Sequence, residues 1–187
     1  MIVNNLHYTV LTVKRHQKLL NFQKIFHRSY VCGYEHLSFD ISALQNMVQL
    51  TSLDLSCNRL KDISALRLLV NLTYLNLEQN DKIDINMLKD MVKLEYLNLR
   101  LTQQKDISVI KQFVNLNEFN ISQNSEVDTL PLREMYSLTA LYLYAIHPKD
   151  ISIINKLINL KKLNIADNQI MIGRPPKLQY KDCITEI

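Results

Sequence analysis

The chain has 187 residues, 47% of them hydrophobic and 21% charged, with a net charge of +4, 2 glycines, 4 prolines and 3 cysteines. This length fits one domain, and so little glycine and proline argues against linkers and low-complexity segments. The odd, irregularly spaced Cys32, Cys57 and Cys183 exclude a disulfide framework or a metal knuckle. The small charge excess, with signs mixed along most of the chain, argues against a continuous phosphate-tracking stripe.

In chain order, Leu6, Thr9 and Leu11 have the spacing of a short strand. Residues 13–28 then read as a basic amphipathic helix, with Lys14, Arg15, Lys18, Lys24 and Arg28 set against Val13, Leu19, Leu20, Phe22, Ile25 and Phe26. The opening residues Met1 to Tyr8 lack a basic segment followed by an apolar core, and no apolar run reaches the roughly 18 residues of a membrane span. The expected location is therefore the cytoplasm or nucleus.

Asp40, Ile41, Leu44 and Met47 begin a pattern that then recurs every 22 residues without a gap. Its register is marked by Leu50, Leu53 and Leu55, then Leu72, Leu75 and Leu77, then Leu94, Leu97 and Leu99. Leu116, Phe119 and Ile121, then Leu138, Leu141 and Leu143, then Leu160, Leu163 and Ile165 continue it. Apolar residues at positions 4 and 6 of each unit alternate with polar ones, which predicts a short strand with one buried face. Asn58, Asn80, Asn124 and Asn168 stand at position 9, where the chain must turn. An amide there can bridge the backbone of adjacent coils. Thr102 and Ile146 interrupt this ladder, so the third and fifth turns are expected to be looser or differently packed.

Position 13 is aspartate in Asp40, Asp62, Asp84, Asp106, Asp128 and Asp150. A carboxylate just before an apolar stretch can accept the free amides of a first helical turn and suits its positive end. Calcium loops need several oxygen ligands close together, and one aspartate per unit does not supply them. Positions 14, 17 and 20, such as Ile63, Leu66 and Leu69, fall on one face of a helix of one or two turns.

One such unit has too little apolar surface to fold alone, so the units must stack. The reading is an α/β solenoid: a right-handed horseshoe with a concave parallel sheet and short convex helices. Residues 1–37 are a degenerate N-terminal repeat with its basic helical cap, 38–172 the solenoid, and 173–187, which opens on Gly173, Arg174, Pro175 and Pro176, a tail or minimal cap.

No catalytic constellation is visible. His7, His16, His27, His36 and His147 form no metal-binding pair on a helix, and the glycine-rich phosphate loops and the strand-to-helix serine elbow are missing. An open sheet presents its polar groups in rows rather than in a pocket. The expectation is a protein that is not an enzyme, with no cofactor, no metal and no small-molecule substrate.

Positions 2, 3, 5, 7 and 8 face the concave side. Position 5 is a polar spine, Asp54, Asn76, Asn98, Asn120, Tyr142 and Asn164. Position 3 reads Ser52, Tyr74, Tyr96, Glu118, Ala140 and Lys162, and position 7 reads Ser56, Glu78, Arg100, Ser122, Tyr144 and Ala166. Tyrosine and arginine are enriched at interface hot spots. The candidate partner-binding residues are therefore Tyr74, Tyr96, Arg100, Glu78, Glu118, Tyr142 and Tyr144, although scattered tyrosines on strands also follow from β propensity.

The form LxxLxLxxNxLxDISxLxxLxN over about residues 38–170 resembles the shortest class of leucine-rich repeats. That class includes the leucine-rich regulatory subunit of type 1 protein phosphatase and the repeat domains of internalins. The resemblance implies a protein-binding scaffold whose concave face meets a globular partner, such as a phosphatase catalytic subunit. Likeness to internalins would imply secretion and attachment to a surface, but no signal peptide, helical cap domain or sorting motif is seen. Three readings follow: an adaptor or regulatory subunit, a surface adhesion protein, or a membrane or nucleic-acid binder acting through the basic helix. Salt-sensitive binding lost on changing Lys14, Arg15 and Lys18 would mark the third.

Overall fold

The computed structural model describes residues 10–12, 41–80 and 82–168. The basic helix of residues 13–28, Asp40, Cys32, Cys183 and the tail 173–187 lie outside them, so the cap, tail and third functional reading stay as expectations.

Among the described residues, seven three-residue strands form one parallel sheet in chain order: β1 (Val10–Thr12), β2 (Ser52–Asp54), β3 (Tyr74–Asn76), β4 (Tyr96–Asn98), β5 (Glu118–Asn120), β6 (Ala140–Tyr142) and β7 (Lys162–Asn164). From β2 onward each residue pairs with the one a full repeat later, as Leu53 with Leu75 and Leu75 with Leu97. A slip of one residue would turn every leucine to the wrong face, so the apolar pattern locks the register. The inward residues Leu53, Leu75, Leu97, Phe119 and Leu141 are completely buried.

The first strand corrects one expectation. Counting back by whole repeats places Thr9 in line with Leu53, but β1 pairs directly with β2 and aligns Leu11 with Leu53. The offset is 42 residues (52 − 10), two short of two repeats. That register puts leucine in line with leucine, as in the two pairs that follow.

The convex side is built from short 3-10 helices: Ser42–Asn46, Ser64–Leu68, Ile85–Leu88, Ser108–Gln112, Leu130–Glu134 and Ser152–Lys156. Three residues per turn match the spacing of positions 14, 17 and 20, and Ile63, Leu66 and Leu69 are buried together against the strand leucines. The position-13 aspartates act as expected at the helix entrance. Asp62, Asp106 and Asp150 accept the amides of Ser64, Ser108 and Ser152 at 2.7, 2.7 and 2.8 Å. Asp84 and Asp128 accept those of Asn86 and Leu130, both at 3.0 Å.

The asparagine ladder joins one coil to the next. Asn80 Nδ2 donates to Leu77 O at 2.8 Å and to Leu55 O of the preceding coil at 3.0 Å, while its Oδ1 accepts the Leu60 amide at 2.9 Å. Asn124 and Asn168 repeat this arrangement on Leu99 and Leu143. Where the ladder breaks, the coils are repacked rather than loosened. Buried Thr102 donates to Leu99 O at 2.6 Å, and buried Gln104 restores the link by donating to Ile83 O at 3.0 Å. Ile146 replaces the polar bridge with a fully buried apolar side chain.

Position 8 adopts the left-handed region in each of the six units from Leu50 onward: Cys57, Gln79, Leu101, Gln123, Ala145 and Asp167 have φ between 51° and 60°. None is glycine, so the tight bend after each strand is held by the surrounding hydrogen bonds against the local preference of the chain.

Candidate partner-binding face

In-register pairing sets Tyr74, Tyr96 and Glu118 side by side on β3, β4 and β5. Parallel strands lie about 4.8 Å apart, close to the stacking distance of aromatic rings. The rings of Tyr74 and Tyr96 stack as expected, with centroids 4.3 Å apart and planes inclined by 9°. Burial pushes the Tyr96 hydroxyl well above the usual tyrosine range, and Tyr74, Glu118 and Glu78 add to the shift. Tyr142 on β6 is raised as well, first by burial, then by the Glu118 carboxylate and its hydrogen bond with the Tyr142 hydroxyl. Glu118 thus stands between two tyrosines from opposite sides.

A second group lies along the position-7 row. Glu78 accepts from Arg100 Nη1 at 2.6 Å and from Asn98 Nδ2 at 3.0 Å, which anchors the guanidinium on a half-buried carboxylate. Tyr144 lies further along this row, and its amide donates to Ser122 Oγ at 3.2 Å. Of the seven residues singled out in the sequence, Tyr74, Tyr96, Glu118 and Tyr142 form one group and Glu78 with Arg100 another. Tyr144 flanks them.

The polar spine at position 5 has a structural job. Asp54, Asn76, Asn98, Asn120 and Asn164 each accept the backbone amide two residues on, at 2.9 to 3.1 Å, closing the end of the strand. Tyr142 has no oxygen that can do this for Tyr144, and Ser122 of the preceding coil takes that amide instead. The fifth unit therefore departs twice from the repeat, at Tyr142 and at Ile146, and the first departure puts an aromatic ring where its neighbours have a strand cap.

A family model described as leucine rich repeat matches residues 36–81. An internalin (inlF) from Listeria monocytogenes is 32% identical over 69% of this chain and 38% of its own, with a TM-score of 0.66. Internalin C2 of the same organism is 33% identical over 70% of this chain and 57% of its own, with a TM-score of 0.65. The chain has the leucine-rich-repeat solenoid fold. It spans 38% and 57% of the lengths of those two internalins. No curated protein matches the sequence.

This leucine-rich-repeat solenoid carries two further rows that sequence reasoning passed over. Position 21 is apolar yet exposed in six consecutive units: Val48, Val70, Val92, Val114, Tyr136 and Ile158 are 39% to 83% exposed. Position 18 is basic in four, with Arg67, Lys89, Lys111 and Arg133 all exposed on the convex side. Both rows were present in the 22-residue alignment, but an apolar residue beside the buried position 20 reads as core until the turn that exposes it is seen. Among the described residues no group of three His, Cys, Asp or Glu could hold a metal ion, and no helix is long and apolar enough to cross a membrane.

Proposed function

We propose that this protein is an adaptor or regulatory subunit without catalytic activity of its own, and that it seats a partner protein on the concave face of β3 to β6. The observation that carries the reading is the convergence of Tyr74, Tyr96, Glu118 and Tyr142 from four consecutive repeats, beside the Glu78–Arg100 pair. Half-buried tyrosines held by stacking lose little further freedom when a partner covers them, which favours affinity. The phosphatase catalytic subunit implied by the repeat class is one globular occupant of such a face, in the cytoplasm or nucleus. A second reading, as a surface adhesion protein, is supported by the 32% and 33% identity to two internalins.

The test is affinity purification from the native cell with the wild-type chain beside a Tyr74→Ala, Tyr96→Ala, Tyr142→Ala, Tyr144→Ala variant, both shown to be folded by circular dichroism. The expected result is a partner retained by the wild type and lost by the variant, with truncation of a hot-spot tyrosine costing ~2 kcal/mol or more. Recovery of a phosphatase would support the regulatory reading, and recovery of a receptor at a cell surface the adhesion reading. An unchanged partner set would remove the concave face from consideration.

A further inference from the structure

The third rung of the tyrosine stack is missing its ring. Position 3 carries Tyr74 on β3, Tyr96 on β4 and Glu118 on β5, in register. One face of Tyr96 is covered by Tyr74 at 4.3 Å. Beyond it, where a third ring would have continued the stack, stands a carboxylate, and Ala140 follows on β6. On β6, Tyr142 lies two residues beyond Ala140, near enough to Glu118 for the carboxylate to push its hydroxyl up. Glu118 thus stands on the strand between Tyr96 of β4 and Ala140 of β6, about 4.8 Å from each strand.

We infer that Glu118, Tyr96 and Tyr142 form a receptor for one arginine side chain of the partner protein. This rests on the concave-face reading above and names the chemistry of the partner that the face takes. Among the described residues, no lysine or arginine makes an ion pair with Glu118, whereas Glu78, Lys105's partner Glu126 and Glu134 all have one. Arg100 is already engaged by Glu78 at 2.6 Å, and Lys162, in the same row as Glu118, stands two strands away beyond Ala140. A guanidinium is planar and always charged. It can stack on the face of Tyr96 as the third layer while its N–H groups meet the Glu118 carboxylate edge-on. A lysine ammonium is a point charge without a stacking plane and satisfies only the second contact. Charge agrees with this assignment: over β3 to β5 the concave positions carry Glu78, Glu95 and Glu118 against Arg100 alone, although the whole chain is at +4.

The experiment titrates the full chain, with tyrosine rings carbon-13 labelled, with three capped tripeptides that differ only in the central residue: arginine, lysine or the uncharged isostere citrulline. Ring resonances of Tyr96 and Tyr142 are followed by NMR. Arginine is expected to shift both rings saturably. Citrulline should bind on the order of ten times more weakly, because it lacks the charge-assisted contact, and lysine should fall between. Glu118→Gln keeps shape and removes the charge, and should reduce the arginine affinity to that of citrulline. Tyr142→Phe, which removes only the hydroxyl beside Glu118, should weaken arginine several-fold and serves as the check if Glu118→Gln disturbs the fold. Equal binding of arginine and citrulline, or unchanged arginine binding in Glu118→Gln or Tyr142→Phe, overturns the proposal. If those results appear while the quadruple tyrosine variant still loses its partner, the arginine receptor is wrong and the concave face stands. If arginine binds as expected but that variant keeps its partner, the functional reading fails instead.

Discussion

At the scale of single residues, the amide of position 9 is the joint between coils. Asn124 is buried, donates to Leu99 O at 2.8 Å and Ile121 O at 2.9 Å, and accepts from Thr102 and Gln104 at 3.1 and 2.9 Å. Asn58 is half-buried and, among the described residues, donates only within its own coil, to Leu55 O and Ser56 O. Asn124→Ala strands several buried backbone groups at about 1–3 kcal/mol each before relaxation, so it is expected to destabilise strongly. Asn58→Ala, open to water, should cost about 1 kcal/mol. Urea denaturation of the two variants checks the order, and equal losses would mean that the ladder does not carry load between coils. The asparagines were legible from spacing alone. The compensation by Gln104 was not, because its partner Ile83 O lies a full coil away and only stacking brings the two together.

At the scale of the element, neighbouring apolar positions behave in opposite ways. Position 20 closes the 3-10 helix against the strand, and position 21 leaves it. Leu66 and Leu69 are completely buried, whereas Val70 is 39% exposed. Leu66→Ala should cost about 2–5 kcal/mol by opening a cavity, and Val70→Thr less than about 0.5 kcal/mol. Thermal melts of both variants test this, and a large loss from Val70→Thr would place the exposed row in the core. The three-residue spacing predicted a helix, and its 3-10 form follows from the same spacing. The position-13 aspartates were likewise legible, since a carboxylate before an apolar triplet has one obvious local use. The exposed row at position 21 was not, because hydrophobicity alone does not tell which side of a turn faces water.

At the scale of the whole molecule, charge groups on the convex side and tyrosines on the concave side respond to opposite ends of the pH scale. Asp62 and Asp150 are lowered by the amides and hydroxyls of Ser64 and Ser152, Glu126 by Lys105, and Glu134 by Lys111 and Arg133. A carboxyl lowered in the folded state adds stability above its ordinary value, about pH 4, which is lost as pH falls through the lowered value. Tyr96 and Tyr142 are raised by burial. Their contribution is complete below about pH 10 and is lost as pH rises through the raised values. Stability should therefore be level near neutrality, fall below about pH 4 and fall again above about pH 10. A melting temperature measured across pH tests the profile, and Tyr96→Phe should flatten its alkaline arm. No loss of stability at alkaline pH in the wild type would contradict the buried hydroxyl.

The sequence by itself determined the repeat length, the identity of the inward residues, the short helices and the aspartates at their entrances. Each of these depends on neighbours within one unit, and a strict period leaves a single register in which the leucines share a face. It also named the tyrosines, because equal spacing makes equal positions adjacent once the units stack. What only the tertiary structure decided lies between units: the direct pairing of β1 with β2, the bridge from Gln104, the transfer of the Tyr144 amide to Ser122, and the position of Glu118 between Tyr96 and Tyr142. These contacts join residues about one coil apart or more, and their energies depend on side-chain direction and burial, which a linear pattern does not encode.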